Sequence, residues 1–147
     1  MYINFNGTDL EKTDLTILAS KPFYRMHLSQ SKADLSQLRG CELSLLSLRD
    51  NQYESTDLAP LAGSRIGELK IDKNPLLDDR VATILLSIKN LKYISLEDTS
   101  LTAEGYAILA KHPSLEMIKI SPKPAVVRTN QGLAQGQQNP RRTQRLG

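Results

Sequence analysis

Residues able to do chemistry are few and scattered in this 147-residue chain. His27 and His112 stand in different stretches, with no cysteine or second ligand at the spacing a metal site or a general base requires. Cys41 follows Gly40 at a turn and lacks a matched histidine motif. That predicts a half-buried structural thiol and not a nucleophile. Asp78 and Asp79 lie just ahead of an apolar stretch that begins at Val81, where negative charge suits a helix N-terminus better than a catalytic carboxylate pair. Asn6-Gly7-Thr8 matches a glycosylation sequon, which has a role only in a secreted chain. The residue pattern thus gives no catalytic, cofactor-binding or metal-binding assignment and reads as that of a non-enzyme.

The elements behind these residues are set by leucine and isoleucine. Hydrophobic residues make up 39% of the chain and aromatics only 5%, so any core is aliphatic. No apolar run approaches the roughly 20 residues that span a bilayer, and no membrane role is expected. Met1–Leu10 shows no basic stretch followed by an apolar one, so no signal peptide is expected. A single cysteine cannot form an internal disulfide, which fits a reducing, cytoplasmic setting.

Six apolar-x-apolar triplets recur: Ile3/Phe5, Met26/Leu28, Leu46/Leu48, Leu69/Ile71, Ile94/Leu96 and Ile118/Ile120. Their first residues are spaced 23, 20, 23, 25 and 24 apart. That range is the period of leucine-rich repeats. The longer pattern L-x-x-L-x-L-x-x-N-x-L is filled by Leu43, Leu46, Leu48, Asn51 and Tyr53. It recurs as Ile66, Leu69, Ile71, Asn74 and Leu76, and again as Leu91, Ile94, Leu96, Thr99 and Leu101. Phe23, Met26, Leu28, Ser31 and Ala33 form a weaker copy. Each triplet predicts a short strand whose alternate side chains face opposite ways. The Asn or Thr falls where the chain leaves the strand, and its side chain can satisfy turn backbone there.

A second apolar segment follows each strand. The stretches Asp78–Lys89 and Thr102–Lys111 have helical spacing, through Val81, Ile84, Leu85 and Ile88 and through Ala103, Tyr106, Ala107 and Ala110. Gly105 weakens the second helix. Asp34–Gly40 and Asp57–Gly63 are shorter and predict single helical or 3₁₀ turns ending at glycine. The expectation is an α/β leucine-rich-repeat solenoid of about six short coils over residues 1–121. A parallel sheet would form its concave face, and short helices or 3₁₀ turns its convex face.

The stretch DLSQLRGCELSLLSLRDNQYESTDLAPLAGSRIGELKI resembles bacterial leucine-rich repeats that often follow a serine/threonine protein kinase domain. LKYISLEDTSLTAEGYAILAKHPSLEMIKI is similar to the longer-helix variety. The resemblance implies an interaction module, with kinase-linked signalling as a setting. No G-x-G-x-x-G, H-R-D or D-F-G is present, so the chain carries no kinase part of its own.

In such a fold the concave sheet face is the usual binding surface. Its outward columns read Tyr2, Arg25, Leu45, Glu68, Tyr93 and Met117, then Asn4, His27, Ser47, Lys70, Ser95 and Lys119, then Asn6, Ser29, Arg49, Asp72, Glu97 and Ser121. Arg25, His27, Arg49, Glu68, Lys70, Asp72, Tyr93 and Glu97 are the candidate contacts for a protein or peptide partner. Tyr93, Arg25 and Arg49 lead, since tyrosine and arginine most often anchor interfaces. The competing reading is a merely solvated sheet face, because surface charges alone do not make a hot spot. Mixed signs on this face argue against nucleic-acid binding.

Residues 122–147 carry five basic and no acidic residues, which leaves 14 basic against 16 acidic residues, a net −2, in 1–121. This polar tail is expected to be disordered, since it cannot bury enough surface to offset ordering entropy. PRRTQR within it makes an adaptor to nucleic acid or an acidic surface a further reading. Met1 opens almost directly onto the Ile3/Phe5 strand, so the first coil is expected to lack a cap. Its open edge suggests self-association, or a structural or oligomerisation remnant of a larger repeat protein.

Overall fold

The computed structural model describes residues 2–15 and 24–120. The expected tail 122–147 lies outside them, as do Phe23 and Ser121 of the repeat pattern. The architecture is α/β, with one sheet of six strands in the order β1-β2-β3-β4-β5-β6, all neighbours parallel. The strands are β1 (Tyr2–Asn4), β2 (Arg25–His27), β3 (Glu42–Ser47), β4 (Arg65–Lys70), β5 (Tyr93–Ser95) and β6 (Met117–Lys119). Between them the chain returns through 3₁₀ segments Leu35–Leu38 and Ser55–Leu61, then through helices α1 (Arg80–Leu86) and α2 (Ala103–Leu109). These return segments stack on one another in chain order. Strand and return segment alternate along one axis, a solenoid-like arrangement.

The register is the one the triplets require. Ile3, Met26, Leu46, Leu69, Ile94 and Ile118 are Cα partners across the six strands. Leu48, Ile71 and Leu96 lie one step beyond the paired segments and extend the ladder, their amides donating to Lys70 O, Ser95 O and Lys119 O. The core runs as a continuous aliphatic spine, with Leu28, Leu46, Leu48, Ile66, Leu69, Ile71, Leu91 and Ile94 all fully buried. Each such side chain contributes about 1.5–3 kcal/mol by leaving water. The end members Ile3, Phe5, Ile118 and Ile120 are only partly buried, since they have a neighbouring coil on one side alone.

The corner after each strand is built the same way five times. The residue just before the Asn/Thr/Ser column is left-handed in every coil: Gly7 (φ 77°), Gln30 (55°), Asp50 (57°), Lys73 (58°) and Asp98 (58°). Non-glycine residues adopt this conformation at a cost. The column that follows supplies the compensating hydrogen bonds. Asn74 Nδ2 reaches Leu48 O, Ile71 O and Asp72 O at 3.0, 2.9 and 3.1 Å. Its Oδ1 accepts from the amides of Asn51 and Tyr53. Asn51 repeats the pattern one coil earlier, bonding Leu28 O and Leu48 O and accepting from Ser31 N and Lys32 N. The side chains of Ser31 and Thr99 each bond the carbonyl three residues back, and neither bridges two coils as the asparagines do.

Two sequence expectations are corrected and one is extended. Leu76 was expected in the last core column, where Leu10, Ala33, Tyr53 and Leu101 are buried. It is 49% exposed instead, and Leu77 is fully buried in its place. The one extra residue in this corner fits the longest spacing, 25, in the strand series. In α2 the inner face is Gly105, Tyr106 and Leu109, while Ala107 and Ala110 face solvent. Asp78 and Asp79 stand at the N-terminus of α1 as expected, with Asp78 accepting from Arg80 N at 3.1 Å, and they also stitch coils together. Asp78 accepts from Ser55 Oγ at 2.8 Å and pairs with Arg80. Asp79 makes no side-chain cap of its helix and accepts from Thr102 N and Thr102 Oγ1. Gly105 is explained by the second stitch: a Cβ there would lie 2.3 Å from Asp79 Oδ1.

Candidate functional site

The outer face of the sheet holds the residues that alternate with the core columns. Register brings the first outward row together as Tyr2, Arg25, Leu45, Glu68, Tyr93 and Met117. It brings the second together as Asn4, His27, Ser47, Lys70, Ser95 and Lys119. Tyr2 and Met117 are each 58% exposed at the two ends of the first row. Arg25 and Glu68 are exposed and Tyr93 half-buried between them. Leu45, expected to face outward, is buried, yet it is not part of the core cluster. It gives the row an apolar floor between Arg25 and Glu68.

The third row is a closed polar network. Arg49 Nε lies 3.2 Å from Asp72 Oδ2, with the carboxylate side chain only 4% exposed. The other oxygen, Asp72 Oδ1, accepts from Ser95 Oγ and, at 2.8 Å, from Glu97 N. Glu97 in turn pairs with Lys119 at 3.7 Å. Ser29 Oγ and Ser47 Oγ share a hydrogen bond of 3.0 Å. The carboxylate of Asp72 therefore serves the fold, and Arg49 and Glu97 reach a partner only from within this network. The sequence carried a signal for the pairing, since Arg49 and Asp72 are opposite charges one repeat apart. Ser47 and Ser95 are the small residues that leave room for it.

His27 sits half-buried on β2 with its ring centroid 5.2 Å from that of Tyr2, tilted by 53°. Burial lowers its pKa, and the positive charges of Lys70 and Arg25 lower it further. The neutral ring is thus favoured by a locally positive field. His112 is elsewhere, buried between coils, its Nε2 2.7 Å from Ile88 O. Because a carbonyl only accepts, Nε2 carries the proton and Nδ1 accepts from Ser114 N. Cys41 is partly buried, and that burial pushes its thiol pKa up. Among the described residues no group of three or more His, Cys, Asp or Glu is placed to hold a metal ion. No helix among them is long and apolar enough to cross a membrane.

Comparison of the chain with models of known protein families, with curated proteins and with solved structures finds no match.

Proposed function

We propose that the chain is a leucine-rich-repeat module that holds a protein or peptide partner against the outer, concave face of its sheet. Sequence period, the parallel ladder and the repeated asparagine corner support the repeat class. The observation that carries the binding reading is the first outward row. It aligns an exposed tyrosine, arginine, glutamate and methionine and a half-buried tyrosine over one apolar floor. Aromatic and arginine side chains beside a desolvated floor are the composition of interface anchors. The likeness to repeats that follow bacterial kinase domains supports a signalling assembly as the setting.

A photo-crosslinking amino acid placed at Tyr93, and separately at Thr83 on α1, tests this in the native cell. Adducts are expected at position 93 and not at 83. They should vanish when Arg25 and Glu68 are changed to alanine while the circular dichroism of the purified chain stays unchanged. Equal adduct formation at both positions, or none at 93, would overturn the reading in favour of a structural piece.

A further inference from the structure

Six lysines and arginines lie on the strands or within two residues of them: Arg25, Arg49, Arg65, Lys70, Lys92 and Lys119. Four have a carboxylate partner. Arg49 pairs with Asp72, Arg65 with Glu42, Lys92 with Glu116 and Lys119 with Glu97. Arg25 and Lys70 make no ion pair among the described residues, which include every Asp and Glu of the chain. These two cations flank one spot. His27 lies two residues along β2 from Arg25, and His27, Ser47 and Lys70 are consecutive Cα partners across β2, β3 and β4. Adjacent strands are about 4.8 Å apart, so His27 and Lys70 stand roughly 10 Å apart, with Ser47 between them.

We propose that Arg25, His27 and Lys70 form an anion-binding patch over Ser47, and that its occupant is a carboxylate side chain of the partner's polypeptide. The patch rests on the outer face being the binding surface. The groups that face His27 are Tyr2 and Asn4 on β1, Arg25 on its own strand, Ser47 with Arg49 beyond it on β3, and Lys70 with Glu68 on one side and Asp72 on the other along β4. Of the two acidic side chains, Asp72 is already paired with Arg49, whereas Glu68 has no ion pair among the described residues and occupies the first row, not the second. It therefore disfavours an anion over Leu45 and leaves the His27–Lys70 row as the favoured seat. Burial is the first cause of the lowered pKa of His27, and the charges of Lys70 and Arg25 add to it. A carboxylate docking there supplies the partner that the other four cations already have inside the chain. Charge-assisted hydrogen bonds from arginine and lysine to a carboxylate are the stronger class of such contacts.

The chain has two histidines, so its ring resonances give a built-in reporter and a built-in control. The full chain is titrated by NMR with a blocked Ala/Glu peptide, with its glutamine analogue and with a phosphoserine analogue, at constant ionic strength. The glutamate peptide should move the His27 signals in a saturable way and raise the pH midpoint of that ring, leaving His112 unmoved. The glutamine peptide should do neither. Arg25→Gln with Lys70→Gln should weaken binding by about tenfold or more, as expected for losing two charged donors. Arg65→Gln with Lys92→Gln should leave it unchanged. Glu68→Gln should tighten it by about two- to fivefold, the usual size of one exposed charge contact. A His27 signal that ignores the glutamate peptide, or follows it equally in the Arg25/Lys70 variant, overturns the patch. Tighter binding of the phosphoserine peptide overturns the carboxylate assignment. If position 93 still crosslinks in cells while His27 stays silent, only the patch fails, and the binding face stands.

Discussion

The side chain of Asn74 is fully buried and makes five hydrogen bonds, two accepted and three donated, within its own coil and to the coil before it. Thr99, one coil later in the same column, bonds only Leu96 O and the side chain of Tyr106. A buried polar group stripped of its partner costs about 1–3 kcal/mol. Asn74→Ala should therefore cost about 3 kcal/mol or more in urea unfolding, and Thr99→Ala about 1 kcal/mol. Equal losses would show that the column is not a ladder of graded strength. Asp78 gives a prediction in pH. Hydrogen bonds from Arg80 and from Ser55 hold its carboxyl at about 2, well below the ordinary 3.8. A depressed carboxyl stabilises the fold at neutral pH, and that contribution is lost as pH falls from the ordinary value through the folded one. The Tm gap between the natural chain and Asp78→Asn should be present at pH 7 and should close near pH 2, and a carbon-detected titration of Asp78 should show the low midpoint.

At the scale of the element, the corner after β4 shows how one inserted residue is absorbed. Leu77 N bonds back to Asn74 O, and Leu77 O accepts from Ser100 N, so the chain bulges and turns Leu76 out. The spine keeps its leucine by taking the next one along. Leu77→Ala should cost about 2–5 kcal/mol, the range for emptying a leucine site in a packed core. Leu76→Ala should stay within about 0.5 kcal/mol, as surface changes do. Thermal melts of the two variants check this, and a large loss at Leu76 would restore the register read from the sequence pattern. Helix α2 departs from its apolar spacing for a related reason. Its alanines are too small to define an inner face, so Tyr106 and Leu109 decide it, and the Asp79–Thr102 stitch places Gly105 against the neighbouring coil.

Across the whole molecule, stability is shared between neighbouring coils. In a solenoid each unit contacts only the units beside it, so end coils have half the support of central ones. Leu46, Leu69 and Ile94 are fully buried, whereas Ile3 and Ile118 in the same row are only partly so. Amide hydrogen exchange should therefore be slowest in β3, β4 and β5 and fastest in β1 and β6. Uniform protection across all six strands would mean that the ends are covered in solution, as self-association through β1 would do.

How much of this was legible without coordinates follows from the physics of each feature. Strand positions, sheet register and the asparagine corner come from a local repeat, because a side-chain period of two and a fixed coil length leave few other ways to bury Leu46, Leu69 and Ile94 together. The 3₁₀ segments were legible in place, with left-handed Gly40 and Gly63 two residues past their ends, though the second is longer than a single turn and starts at Ser55. The outward rows were readable as rows. Their internal economy was not. That Arg49 is bound to a buried Asp72 while Arg25 and Lys70 have no ion pair among the described residues depends on distances between side chains about a repeat apart. Alternation along a strand tells which face a residue occupies, but only the packed coils decide whether its charge is already answered from within.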